Sequence, residues 1–193
     1  HLVIDSMFDK QLEISFDITF HSIPCSSLGI CIMDVTGEQQ VHAEMLNHEI
    51  HKTRLDLQGN ALHDEPIKEH PGIINELFQY MRMDRAAEGC QVTGKLHLQK
   101  VSGNFHIALG SAHEIHGKHI HQFVMSDIPR FNASHTIHHL SFGEGFSGQK
   151  LPLNGMEHTI KEPGGGVFTY NLKVIPIEYV SRWGSITHSN TYG

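Results

Sequence analysis

The chain has 193 residues, 39% hydrophobic and 18% charged, which is enough to bury the core of one domain and too apolar for disorder. With 21 acidic against 14 basic residues its formal net charge is −7, which argues against the Lys- and Arg-rich surface of a nucleic-acid binder. No apolar run approaches the roughly 18–20 residues that span a bilayer.

The chain opens within a strand-like run, His1-Leu2-Val3-Ile4, and ends at Asn190-Thr191-Tyr192-Gly193 without a clear stop, so it reads as a piece of a longer protein. Residues 11–20 alternate strictly. Leu12, Ile14, Phe16, Ile18 and Phe20 hold one phase, and Glu13, Ser15, Asp17 and Thr19 the other. Period two over this length predicts a half-buried strand of an antiparallel sheet. Ile23-Pro24 breaks the run, and Leu28, Ile30 and Ile32 resume it up to the turn chemistry of Asp34-Val35-Thr36-Gly37. Residues 40–57 read as strand then loop, and 63–72 as loop punctuated by Pro66 and Pro71.

Ile73, Ile74, Leu77, Phe78 and Met81 fall at helical spacing, so residues 72–88 are expected to form one amphipathic helix inside an insertion, ended by Gly89. After Cys90 the strand pattern returns. Val92, Leu96, Leu98 and Val101 lead through Ser102-Gly103-Asn104 to Phe105, Ile107 and Leu109, which predicts a hairpin. Residues 110–130 are polar and His-rich, an exposed loop by composition. Residues 135–142 fit a short helix or an extended segment equally, and the glycine- and proline-rich stretch from 143 to 155 reads as turns. The last strong strand is expected over 167–180, with a phase change at Pro176 that suits a bulge or an edge position. Seven or eight strands with one helix make an all-β fold, an antiparallel sandwich carrying a helical insertion.

The 18 histidines stand out. If about half protonate near the ordinary pKa of ~6.5, the charge moves from −7 to about +2, and a mildly acidic compartment reverses its sign. His113, His116, His119 and His121 crowd one stretch, and His119 and His121 share a strand face. The metal candidates are therefore His116, His119 and His121. Yet no HExxH and no suitably spaced carboxylate completes a site, so neither metal nor cofactor is expected. His135, His138 and His139 lie near serines, but no GxSxG elbow accompanies them and no catalytic residue is assigned. Gly143-Glu144-Gly145 and Gly164-Gly165-Gly166 lack the strand-to-helix setting of a phosphate loop. Asn132-Ala133-Ser134 is an N-glycosylation sequon, meaningful only in a lumen. Cys25, Cys31 and Cys90 show no CxxC spacing, and an oxidising compartment would close one of three possible pairs.

Several phrases in order resemble one family. They are Ile14-Ser15-Phe16-Asp17-Ile18-Thr19-Phe20 with Pro24-Cys25, Met33-Asp34-Val35-Thr36-Gly37-Glu38, and Glu88-Gly89-Cys90-Gln91-Val92-Thr93-Gly94. Gly103-Asn104-Phe105-His106-Ile107, His138-His139-Leu140-Ser141-Phe142-Gly143 and Leu172-Lys173-Val174-Ile175-Pro176 complete the set. Over roughly residues 1–180 the chain resembles the luminal domain of the endoplasmic reticulum–Golgi intermediate compartment (ERGIC) proteins, paired vesicle cargo receptors. The resemblance implies a large twisted β-sandwich and a single luminal domain over 1–193, in membranes of the endoplasmic reticulum, intermediate compartment and Golgi. It also implies a non-catalytic role, with a sister subunit and cargo as partners. Contact with the membrane and with coat proteins would run through flanking spans and cytosolic tails that this sequence does not contain.

The same resemblance implies a Cys25–Cys90 disulfide and places Asn132 where glycosylation happens. One departure stands: residues 60–88 lack the CxxC cluster usual in the family's larger subunit, which puts thiol-dependent cargo capture in doubt. A histidine-based metal protein and a lectin-like glycan-binding sandwich are the alternative functions.

Overall fold

The computed structural model describes residues 12–34, 39–42, 49–62, 88–98, 103–115, 118–122, 132–161 and 166–193. Twelve strands run through them: β1 (Leu12–Ser22), β2 (Leu28–Asp34), β3 (Gln39–His42), β4 (Glu49–Leu55), β5 (Gly89–Leu98) and β6 (Gly103–Leu109). Next come β7 (Ser111–Ile115), β8 (Lys118–Gln122), β9 (Asn132–Phe142), β10 (Met156–His158), β11 (Val174–Val180) and β12 (Ile186–Tyr192). Every pairing is antiparallel, and the all-β expectation holds. The helix expected over 72–88 lies outside the described residues, save Glu88, which is not helical.

A five-stranded sheet, β10-β9-β1-β5-β4, faces a three-stranded sheet, β3-β2-β6, and two ribbons, β7-β8 and β11-β12, complete the fold. The alternation of β1 dictates the layering. Ile14, Phe16, Ile18 and Phe20 are buried, and each is paired across the sheet with an inward residue: Leu96, Gly94, Val92 and Cys90 on β5. From the opposing sheet Ile30 and Ile32 join the same core, with Phe105 and Ile107 of β6 packed against it. The Phe105 ring lies 5.3 Å from that of Phe16. Burying these side chains supplies most of the drive to fold, at roughly 25 cal/mol per Å² of apolar surface.

Three expectations need correction, and one open alternative is settled. The hairpin across residues 102–104 does not form: β5 pairs with β1 and β4, whereas β6 crosses to the other sheet and pairs with β2. Inward apolar residues are demanded by both sheets, so alternation on either side of a Gly-Asn turn does not say which sheet each strand joins. The 110–130 stretch is not simply a loop, because β7 and β8 pair from Ser111↔Gln122 to Ile115↔Lys118.

The uncertain stretch 135–142 is strand throughout, although its register on β1 shifts between Asp17↔His139 and Ile18↔Ile137. His138 is the extra residue at this bulge. It moves the inward phase from His135 and Ile137 to Leu140 and Phe142, a three-residue step that imitates a helix in the sequence. Finally, the last predicted strand is shorter than 167–180, being Val174–Val180, and it has a partner, β12, that periodicity did not show. Pro176 pairs in regular register with Asn190, so the edge position holds and the bulge does not.

Candidate functional site

β9 places His135 opposite Phe20, at an inward position where a sheet normally carries an apolar residue. The ring is buried. Its Nδ1–H donates to the Ala133 carbonyl at 2.9 Å, and in the neutral ring Nε2 accepts the Tyr170 hydroxyl at 2.7 Å. Phe20, His158, Phe168 and Tyr170 surround it with ring centroids at 5.8, 5.5, 4.9 and 6.0 Å. Burial holds its pKa below the usual histidine range despite the Ala133 bond, with His158 and His21 adding small repulsions. Burial likewise raises that of Tyr170. His135 is therefore not one of the histidines that would reverse the surface charge.

A pH-dependent stability follows. The unfolded chain takes up a proton near pH ~6.5 that the folded ring refuses, so stability is full above that value and falls as pH drops below it. The loss is at most about 1.4 kcal/mol per pH unit. Denaturant midpoints between about pH 7 and about pH 5.5 should decline less steeply in His135→Gln than in the parent. Equal slopes would remove His135 from this role.

The neighbouring histidines do not form a catalytic set. His138 bonds Thr19 Oγ1 through Nε2 at 2.9 Å. His139 Nε2 lies 2.9 Å from Ser141 Oγ, a pair that resembles half of a triad. Asn154 decides the tautomer. Its Oδ1 accepts the Leu140 N–H at 2.9 Å, so its amide nitrogen faces and donates to His139 Nδ1 at 3.3 Å. His139 then carries its proton on Nε2, donates to Ser141, and has no lone pair there to receive the hydroxyl proton.

Cys25 and Cys90 are joined, with Cα atoms 4.9 Å apart and a sequence separation of 65. The bridge ties the 3-10 turn Cys25–Ser27, which links β1 to β2, to the start of β5. Asn132 opens β9. Its Nδ2 donates to Ile160 O at 2.8 Å, its Oδ1 accepts the Ser134 N–H at 2.8 Å, and Ser134 is buried. The sequon therefore belongs to a strand rather than a surface loop, and Asn132 is only partly covered.

Of the sequence's metal candidates, His116 lies outside the described residues, and His119 stands in β8 opposite Glu114. Among the described side chains, His121 is brought to two other ligating groups, Cys31 and His106. Sequence reasoning missed both companions because the pairing of β2 with β6 is invisible at that separation.

The β11-β12 ribbon carries four of the eight large apolar side chains exposed among the described residues, Ile175, Val180, Trp183 and Ile186. Its root is fixed by Tyr192, whose ring packs on Phe142 at 5.2 Å and whose hydroxyl donates to Leu140 O at 3.1 Å. The Gly143↔Ser189 bridge holds β12 to the end of β9. At the tip, Ser181 N donates to Ser185 O at 2.8 Å, and Gly184 takes the left-handed φ of 78° that closes the turn. Trp183 projects from this turn 92% exposed, flanked by the cross-strand pair Val180 and Ile186 at 61% and 59%. An exposed tryptophan beside two branched aliphatics is an apolar patch of the kind that marks protein-interaction surfaces.

Comparisons with known proteins bear on the whole chain. Residues 73–193 match a family described as endoplasmic reticulum vesicle transporter, and residues 1–41 match one described as Endoplasmic Reticulum-Golgi Intermediate Compartment (ERGIC). The "Probable endoplasmic reticulum-Golgi intermediate compartment protein 3" of Dictyostelium discoideum is 30% identical over 247 residues, covering 99% of this chain and 63% of its own length. Endoplasmic reticulum-Golgi intermediate compartment protein 2 of Mus musculus is 28% identical, over 90% of this chain and 50% of its own. The chain thus spans half to three-fifths of these relatives. Among solved structures, Erv41p shares the architecture with a TM-score of 0.52 at 18% identity, covering 99% of this chain and 85% of that one.

Proposed function

The chain belongs to the endoplasmic reticulum vesicle transporter (ERGIC) family, and from that premise we infer that it is the luminal, protein-gripping part of a membrane-anchored cargo receptor. A role in transport between endoplasmic reticulum and Golgi, at the membranes of those compartments, follows from the membership itself. Beyond it, the domain over 1–193 holds a sister family subunit and cargo, performs no catalysis, and carries a glycan on Asn132. The observation that carries this reading is the exposed Val180, Trp183 and Ile186 tip, held on a ribbon whose root is locked. The tautomer of His139 supports the non-catalytic part.

Capture from native membranes tests it. The full-length protein should recover a second family member and should shift in mobility after N-glycosidase. Trp183→Ala should weaken partner recovery by about tenfold, the ~1.4 kcal/mol or more expected of an exposed aromatic anchor. Recovery of the protein by itself, or a Trp183→Ala capture equal to the parent, would count decisively against this grip.

A further inference from the structure

Along β2 the odd and even positions part company. Ile30 and Ile32 enter the sandwich core, and Cys31, between them, does not belong to that cluster although it is wholly buried. Its register partner on β6 is His106, which likewise lies between the core-packed Phe105 and Ile107. Cys31 and His106 are therefore neighbours on the outer face of the three-stranded sheet. The β7-β8 ribbon comes onto that face. Gly29, two residues before Cys31 and of the same phase, lets it approach: a Cβ there would stand 2.6 Å from Gly110 O and 3.8 Å from the His121 ring. His121, at the end of β8, thereby reaches His106, Nε2 to Nε2, at 3.0 Å.

We propose that Cys31, His106 and His121 form a binding site for a zinc-class divalent cation, which clamps the β7-β8 ribbon to the sheet. One ligand atom from each of the three residues lies within 4.8 Å of the others. A tetrahedral zinc site separates its sulfur and nitrogen donors by about 3.3–3.6 Å, so the cluster needs only small shifts, the two imidazoles parting slightly from their 3.0 Å contact. The thiolate and imidazole donor set selects zinc over the oxygen-loving calcium and magnesium.

A further detail concerns His106. Asn104 Oδ1 lies 3.1 Å from His106 Nδ1 and accepts its proton, which leaves the Nε2 lone pair facing His121 and Cys31. An outer carbonyl fixing the tautomer of an inner imidazole is how metal-bound histidines are commonly oriented. On binding, the hydrogen bond between the two imidazoles breaks, the His121 proton moves from Nε2 to Nδ1, and the Cys31 thiol gives its proton to solvent so that the sulfur bonds the metal as thiolate.

The test uses the full-length protein with its Cys25–Cys90 disulfide intact, stripped by chelator and titrated with cobalt(II), then with zinc as competitor. One equivalent should bind with a thiolate-to-cobalt charge-transfer band in the near ultraviolet, and zinc should abolish that band. His106→Gln and His121→Gln should each weaken binding by about 10²-fold or more, while Asn104→Ala loses about tenfold. His106 is only partly buried, so His106→Gln should keep the native circular dichroism, and that measurement separates lost ligation from lost folding. No bound cobalt, cobalt without the thiolate band, or binding unchanged in a folded His106→Gln would each overturn the site.

Discussion

Cys25→Ala/Cys90→Ala should lower the unfolding free energy by about 4 kcal/mol, the largest stability effect expected of any covalent change here. The half-cystines are 65 residues apart, and the loop they close contains β2, β3 and β4. Unfolding therefore releases long-range chain freedom that the bridge otherwise denies, and chain-entropy arithmetic for such a loop gives the quoted size. Against a typical total of 5–15 kcal/mol this is a large share. The bridge also fixes the turn between β1 and β2, so its loss loosens the hand-over from one sheet to the other. Urea unfolding of oxidised parent, reduced parent and double variant measures it. The last two should agree with each other and fall below the first. A difference of less than about 1 kcal/mol would refute the entropic role assigned to the bridge.

Phe16→Ala should cost about 3–5 kcal/mol, the usual range for removing a buried phenylalanine. Phe16 is 2% exposed, faces Gly94 on β5 and Leu140 on β9, and packs on Phe105 from the opposing sheet. It is the side chain through which both layers touch. Gly94 exists to accommodate it: a Cβ at that position would lie 2.9 Å from Phe16 Cζ and 2.8 Å from the Glu49 carbonyl oxygen. Gly94→Ala is therefore expected to cost about 1–3 kcal/mol by overpacking. In a double-mutant cycle the Gly94→Ala penalty should shrink in the Phe16→Ala background. It should not vanish, because the clash with the β4 backbone persists. Strict additivity would show that the two positions do not share the space described.

The legible parts of the fold were those in which one physical demand acted on a stretch alone. β1 buries a single face along its whole length, so its period of two was plain. β9 buries a face just as consistently, but the bulge at His138 puts its inward residues at 135, 137, 140 and 142, and no single period describes that set. His135 compounds the problem by occupying an inward position with a residue that reads as polar. β7 and β8 failed for the same reason, since a ribbon built of histidines has the composition of a loop.

Site residues show the same division. Cys25 and Cys90 were reached through resemblance to a family, not through spacing, because three cysteines allow three pairs. The Cys31, His106 and His121 cluster depends on which strand lies beside which, and that is settled by the packing of two sheets rather than by any local pattern. Trp183, in the turn between the register partners Val180 and Ile186, has no visible context until that pairing is known.

On β4, Lys52 and Arg54 occupy the register of buried Val92 and Cys90, and their cationic heads turn inward to Leu28 O at 2.8 Å and to Glu88 at 2.6 Å. Inward-turned charged side chains on an outermost strand disfavour the stacking of another backbone along that border. The larger sheet thus resists lengthening on that flank.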